Sequence, residues 1–67
     1  MDFNIWLHEK REKNGYTIAN FAAKAKLTRT YIYELERPGS NPSLSVITKV
    51  ANGFGIKTWQ ALKEMGI

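Results

Sequence analysis

The chain has 67 residues, a formal net charge of +4 and no cysteine. A chain of this length buries one modest core, and hydrophobic residues, at 43% of the sequence, supply enough apolar material for it. The composition argues against an elaborate enclosed active site and rules out disulfides and thiolate metal sites, and no apolar run approaches the ~20 residues that span a bilayer.

Ten Lys and Arg residues outnumber six Asp and Glu residues. This balance suits a surface that binds a polyanion, and ordinary solubilising charge explains it equally well. A small domain without cysteine staples or an apolar N-terminal run is predicted to be soluble and cytoplasmic.

The predicted elements are five short helices, divided by turns rich in glycine and proline, and there is no strand pattern. The first helix covers about residues 3–14 and stops at Asn14-Gly15. It places Arg11 on the same face as Phe3 and Leu7. Because a buried guanidinium is costly alone, Arg11 is expected to need an anionic partner.

The second helix covers about residues 17–25, with Thr17 as its N-cap. Its apolar residues recur at i, i+3, i+4 and i+7, and they are Ile18, Phe21, Ala22 and Ala25. The two alanines on this stripe are expected to let another helix approach closely.

The third helix follows the N-cap candidate Thr28 and ends near Glu36 or Arg37, because the following proline cannot continue it. At about 100° per residue, Ile32 and Leu35 point in one direction. The opposite, outward face carries hydroxyl, phenol, carboxylate and guanidinium groups from Thr30, Tyr33, Glu34 and Arg37, with Arg29 at its edge.

A fourth helix follows Pro42, with Ser43 as its N-cap, and Gly53-Phe54-Gly55 is interpreted as the turn after it. The apolar stripe of this helix consists of Leu44, Ile47, Val50, Ala51 and Phe54. A fifth helix covers about residues 57–65 and presents Trp59, Leu62 and Met65 near one face.

The second and third helices are joined by only three residues, Lys26-Leu27-Thr28. Two short helices with so tight a join are typical of a helix-turn-helix. In that arrangement one helix lies across a phosphate backbone and holds the other in the major groove. Leu27 is expected to fill the angle between them, so the motif is predicted at about residues 17–37.

Residues 28–37, TRTYIYELER, followed by NPSL at 41–44, resemble the signature of Cro/repressor-type helix-turn-helix domains. Within that family they are most similar to restriction–modification controller proteins and SinR-like regulators. The resemblance covers about residues 3–62 and implies an all-α, lambda-repressor-like bundle of five helices, a single domain over residues 1–67. It also implies that Arg11 pairs with Glu36 and ties the first helix to the end of the third.

The family's base-reading positions fall here on Arg29, Thr30 and Glu34, and Tyr33 lies on the same outward face. Arginine pairs bidentately with a guanine edge, and threonine offers a methyl group to thymine. Glutamate accepts from cytosine, or it orients Arg29 instead. The resemblance therefore implies that these four side chains read bases.

Phosphate contacts are implied near the start of the second helix, on the third helix and in the loop after it. The candidate residues are Thr17, Thr28, Tyr31, Arg37, Ser40, Asn41 and Ser43. Backbone N–H groups at the capped helix ends are expected to help, since helix N-termini favour anions. One departure is Ile18, which stands where many members have a phosphate-binding glutamine.

The resemblance implies a bacterial or phage transcriptional regulator that binds double-stranded DNA in a sequence-specific manner, with repression the simplest mechanism. Since one small domain reads few base pairs, a homodimer on an inverted repeat is expected. The candidate dimer residues are Ile56, Trp59, Leu62, Met65 and Ile67. No cofactor, metal, membrane or small-molecule effector is expected.

A protein-interaction module or an antitoxin subunit with the same fold is the alternative. Glu34 and Glu36 on the third helix and the missing glutamine at position 18 favour it mildly. An enzyme is not predicted, because His8 is the lone histidine and no nucleophile, phosphate loop or metal spacing accompanies it. Glu64 is interpreted as a terminal charge.

Overall fold

The computed structural model describes all of residues 1–67, which form five α-helices and no strand. The helices are α1 Phe3–Lys13, α2 Ile18–Ala25, α3 Arg29–Leu35, α4 Leu44–Phe54 and α5 Thr58–Glu64. The predicted all-helical bundle is therefore confirmed. The helices are slightly shorter than predicted because several of the capping residues lie just outside them.

Three helices begin at a hydroxyl cap. The side-chain oxygens of Thr17, Thr28 and Ser43 accept hydrogen bonds from the backbone N–H three residues later, at 3.0, 3.1 and 3.3 Å. Each bond satisfies a donor that the first helical turn would otherwise leave unpaired. At the start of α1, Asp2 occupies the cap position without making this bond.

The core lies where α2 packs against α4, with α1, α3 and α5 around them. Its largest fully buried side chains are Phe21, Leu7, Ile32 and Val50. The rings of Phe21 and Phe54 stack with centroids 4.3 Å apart, which joins α2 to the end of α4. None of the five helices is both long and apolar enough to cross a membrane.

Gly53 corrects the interpretation of residues 53–55 as a turn, since it lies inside α4 and is buried. A Cβ atom at Gly53 would come within 3.0 Å of Phe21 Cε1 and 3.1 Å of Ala25 Cβ. The missing side chain thus lets α4 approach α2 closely. Gly55, in the left-handed region at φ +74°, ends the helix.

Leu44 does not join the buried stripe of α4 as predicted. It is 62% exposed, whereas Val50 and Ala51 are fully buried. Leu44 and Ala51 share a face by angle, but seven residues separate them by about 10 Å along the helix axis. Leu44 therefore lies beyond the end of the core, whereas Val46 and Ile47 in the same turn pack against it.

Candidate nucleic-acid interface

The turn between α2 and α3 is closed by backbone and side-chain contacts. Lys26 ends α2 in the left-handed region, and its N–H donates to Ala23 at 3.3 Å. Leu27 donates its N–H to Ala22 at 2.9 Å, and its half-buried side chain packs against the core. Thr28 then caps α3. The short join thus fixes the angle between the two helices.

The third helix has one buried face and one open face. Ile32 and Leu35 are buried in the core. The four residues with implied base-reading roles are all exposed, and they are Arg29, Thr30, Tyr33 and Glu34. None of their side chains makes a hydrogen bond or ion pair within the protein. The fold thus directs these polar groups toward solvent.

Two shallow grooves flank the open face of α3. The first, here called the α2-side groove, is lined by Thr17, Ile18, Ala19, Arg29, Thr30 and Tyr33. The second, the turn-side groove, is lined by Lys26, Leu27, Thr28, Thr30, Tyr31 and Glu34. The open face of α3 is therefore a ridge with a concave surface on each side, a shape suited to a long, grooved partner.

Three of the candidate phosphate-binding hydroxyls are the helix caps Thr17, Thr28 and Ser43, and all three side chains are exposed. Each oxygen already accepts a backbone N–H. At Thr17 and Thr28, no other partner takes the hydroxyl proton, which is free to be donated outward. The Ser43 hydroxyl also lies 3.0 Å from that of Ser45.

The remaining phosphate-binding candidates differ in their surroundings. Arg37 and Asn41 are exposed in the loop after α3, whereas Tyr31 is half-buried and packs against the core. The hydroxyl of Ser40 donates to the carbonyl of Leu35 at 2.7 Å and so satisfies an acceptor at the end of α3. A phosphate contact through this hydroxyl proton would have to replace that bond.

Arg11 and Glu36 lie in direct contact between α1 and the end of α3. Arg11 Nε donates to Glu36 Oε2 at 2.6 Å, and Arg11 Nη2 donates to Oε1 at 3.1 Å. Arg11 Nη1 donates to the carbonyl of Tyr16 at 2.9 Å. Arg11 is only 8% exposed, and the bidentate pair with Glu36 supplies the anionic partner that a buried guanidinium requires.

The protonation behaviour of the pair follows from these contacts. The hydrogen bond to Glu36 raises the pKa of Arg11 despite its burial. Burial works to raise the pKa of Glu36, but hydrogen bonds with Arg11 and His8 outweigh it and hold this pKa below its ordinary range. Both groups are therefore charged at neutral pH.

His8 takes part in this cluster, which sequence reasoning missed. Its Nδ1 lies 2.8 Å from Glu36 Oε1, and its Nε2 lies 3.3 Å from Glu12 Oε1. The spacing from His8 to Arg11, three residues on one helix, was the available signal. No group of three His, Asp or Glu side chains is arranged to hold a metal ion.

Glu64 is not simply a terminal charge. It accepts a hydrogen bond from Trp6 Nε1 at 3.0 Å and pairs with Lys10 Nζ at 3.0 Å. The hydrogen bonds from Lys10 and Trp6 hold the pKa of Glu64 below its ordinary range. No local sequence signal pointed to this tie, because Trp6 and Glu64 stand 58 positions apart.

The candidate dimer residues do not all lie on the surface. Trp59 is 61% exposed and Ile67 is also exposed, while Ile56 and Leu62 are half-buried. Met65 is a correction, because it is 3% exposed and belongs to the core. Its side chain belongs to the core cluster, and its backbone carbonyl accepts a hydrogen bond from the Met1 amino group at 2.8 Å.

Leu44, on the helix that contacts α5, is a further exposed apolar residue. Thr58, at the start of α5, donates its hydroxyl to that of Thr48 on α4 at 3.0 Å. Leu44 is one helical turn before Thr48, and Trp59 directly follows Thr58. Leu44 and Trp59 are thus exposed apolar residues on two helices that contact each other, and we call the pair the Leu44–Trp59 surface.

Comparison with known proteins gives consistent matches. The family described as helix-turn-helix matches residues 7–58. The chain is 40% identical over 47 residues to the immunity repressor protein of Bacillus phage phi105, covering 70% of this chain and 33% of that protein. It is 32% identical over 57 residues to the HTH-type transcriptional regulator DdrOP3 of Deinococcus deserti, covering 85% and 44%. The chain thus spans less than half the length of these relatives.

Proposed function

The chain belongs to the Cro/repressor-type helix-turn-helix family, and we propose that it binds double-stranded DNA and regulates transcription. The observation that carries this proposal is the open face of α3. Arg29, Thr30, Tyr33 and Glu34 stand there together, exposed and without partners in the protein. Polar side chains on a short helix held by a buried opposite face suit insertion into a major groove.

The four side chains on the open face of α3 suit different bases. The Arg29 guanidinium matches the two acceptors of guanine, and the Glu34 carboxylate accepts from the amino group of cytosine. Thr30 offers a hydroxyl group and a methyl group, and the Tyr33 ring supplies apolar contact to a thymine methyl. The ridge therefore has the chemistry to distinguish base pairs as well as the shape to reach them.

Phosphate contacts in this proposal come from the capped helix starts and the loop after α3. Thr17 and Thr28 offer hydroxyl protons beside backbone N–H groups, and Ser43 lies at the start of α4. Arg37 and Asn41 add exposed donors in the loop. Contacts of this kind fix the register of the protein on a duplex without reading its sequence.

The active form in this proposal is a homodimer on an inverted-repeat operator. A recognition helix of seven residues reads only a few base pairs, so two half-sites one helical turn apart are needed for specificity. The Leu44–Trp59 surface, with Ile67, supplies apolar side chains for the second copy. Aromatic residues are enriched at such interfaces.

Repression is the proposed direction of regulation. One relative is named an immunity repressor, and a dimer seated on an operator blocks polymerase without a further domain. In a purified transcription reaction, added protein should therefore reduce transcription from a template whose operator overlaps the promoter. Increased transcription from such a template would overturn the assignment of repression and leave DNA binding intact.

The experiment that tests the proposed function is selection of the purified protein against random duplex DNA at near-physiological salt. We expect an enriched inverted repeat, and its spacing would define the dimer. Absence of enrichment, together with weak binding even at low salt, would contradict DNA binding, since phosphate contacts strengthen steeply as salt falls. That result would favour a protein-interaction module or an antitoxin subunit.

A further inference from the structure

Lys26 occupies a backbone conformation that is unfavourable for lysine. It ends α2 at φ 58° and ψ 41°, and it is the only non-glycine residue of the chain with positive φ. A Cβ atom is strained in this left-handed region, and glycine is the usual residue at such helix ends. Since strained residues cluster at functional sites, a role of the Lys26 side chain would explain why lysine stands here in place of glycine.

The Lys26 side chain has no partner within the protein. It is exposed, and its ammonium group lies within 4.0 Å of no carboxylate and makes no hydrogen bond. It lines the turn-side groove together with Thr30 and Glu34, two of the proposed base readers. Lys26 therefore borders the ridge, and its ammonium group has no hydrogen-bond or ion-pair partner in the protein.

Two more lysines surround the same end of α2. A depression behind the turn is lined by Lys24, Ala25, Lys26, Lys49 and Asn52. Lys24 Nζ lies 5.2 Å from the centre of the Tyr16 ring, which holds that ammonium, and Lys49 has no ion-pair partner. The depression holds three positive charges and no carboxylate, and Glu34 is the one carboxylate that lines the turn-side groove beside Lys26. The net charge around Lys26 is therefore positive, which favours an anion there.

The dimensions of a duplex indicate which anion this is. An α-helix with its side chains is about 10–12 Å across, and the major groove is about 12 Å wide. A helix seated in the groove therefore has a phosphate backbone on each flank. The α2-side groove would face one backbone, and the turn-side groove, with Lys26, would face the other.

We infer that the Lys26 ammonium binds a backbone phosphate on the wall of the major groove that faces the turn, and that Lys24 and Lys49 strengthen the field there. This inference rests on the proposed DNA binding and adds to it a contact in the turn itself. The strained backbone is then explained, because glycine at this position would relieve the strain and remove the charge.

The test uses Lys26→Gly, which separates stability from binding. We expect the Tm to rise by roughly 4 °C as the strain is relieved. Binding to a mixed-sequence duplex should weaken, and the slope of log affinity against log salt should become shallower by about 0.9. The affinity ratio of wild type to variant should then fall about threefold between 50 and 200 mM salt.

Two control variants complete the experiment. Lys26→Arg keeps the charge and should retain the wild-type slope. Lys13→Gln removes one exposed positive charge from α1, away from the ridge, and should leave the slope unchanged. Equal slopes for wild type and Lys26→Gly would overturn the inference, and so would equal effects of Lys26→Gly and Lys13→Gln. If the wild type binds no duplex at low salt, the proposed function fails first and the inference falls with it.

Discussion

Glu34 and Glu36 stand two residues apart near the end of α3, and their surroundings are opposite. Glu36 accepts from Arg11 through both oxygens and also contacts His8, and its side chain is 10% exposed. Glu34 is exposed and has no ion pair or hydrogen bond. One carboxylate is satisfied inside the protein, and the other is available to a partner.

The same contrast separates the two regions around them. The cluster of Arg11, Glu36 and His8 joins α1 to the end of α3, and the buried side-chain nitrogen and oxygen atoms of the chain all have partners. The ridge of α3 consists of polar side chains that nothing in the protein satisfies. Substitutions in the cluster should change stability, and substitutions on the ridge should change binding.

Glu36→Ala should have the largest effect. We expect the free energy of unfolding to fall by about 3 kcal/mol, because Arg11 would stay buried without its carboxylate. Thermal denaturation followed by circular dichroism measures this as a Tm lowered by more than ~10 °C. Glu34→Ala is the matched control on the same helix and should shift the free energy by less than ~0.5 kcal/mol. An unchanged Tm for Glu36→Ala would show that the pair adds no net stability.

Arg29→Ala tests the other region. It should weaken binding to the selected operator by ~1–3 kcal/mol and relax the base preference at one position, with little change in Tm. Arg37→Ala, in the loop, should weaken binding to all duplexes alike and reduce the salt slope by about 1. Fluorescence anisotropy with specific and mixed-sequence duplexes measures both. Identical behaviour of the two variants would contradict the division between base and phosphate contacts.

Acidification should weaken the cluster by a smaller amount than Glu36→Ala does. Because the folded protein holds the pKa of Glu36 below the ordinary value of ~4.3, the unfolded chain takes up the proton first. The stabilisation is therefore present above that value and is lost as pH falls through the folded pKa. Urea denaturation should show the free energy of unfolding falling between pH 5 and pH 3.

The comparison variant for this measurement is Glu36→Gln, which cannot titrate. Its stability should decline less steeply with acid than that of the wild type. Glu64, whose pKa is also lowered, is present in both proteins, so its contribution cancels in the difference. Parallel pH profiles for wild type and variant would show that Glu36 is not responsible.

Trp6→Phe should have a smaller effect than Glu36→Ala, Arg29→Ala or acidification. It removes the hydrogen bond from the indole nitrogen to Glu64 and leaves most of the buried ring in place. We expect a loss of about 1 kcal/mol, measured by urea denaturation. Glu64→Gln keeps an acceptor for Trp6 and loses only the partly exposed pair with Lys10, so its loss should be smaller still. A larger loss of stability in Glu64→Gln than in Trp6→Phe would show that the pair with Lys10 matters more than the hydrogen bond from Trp6.

Local signals were enough to predict the helices. Thr17, Thr28 and Ser43 precede apolar stripes, and each caps a helix because a short hydroxyl side chain satisfies a free N–H. The open and buried faces of α3 follow from the angle between successive residues. These features depend on neighbours a few positions apart, which the sequence displays directly.

Features that depend on distant contacts were not predictable in the same way. Gly53 resembles a turn residue beside Gly55, and only the packing of α4 on Phe21 explains it. Leu44 and Met65 were assigned from helical angle alone, which says nothing about where the core ends along the axis. The positions of dimer contacts and bases remain proposals, because both belong to partners outside the chain.

The hydroxyl caps have a consequence for the entropy of binding. The oxygens of Thr17 and Thr28 are held by backbone N–H groups, so their side-chain rotamers are fixed before any phosphate arrives. A long, free side chain such as that of Lys26 loses ~0.5–1.5 kcal/mol of rotational freedom when it is immobilised in a complex. Contacts made through the caps avoid that cost, so a rigid surface meets the duplex there.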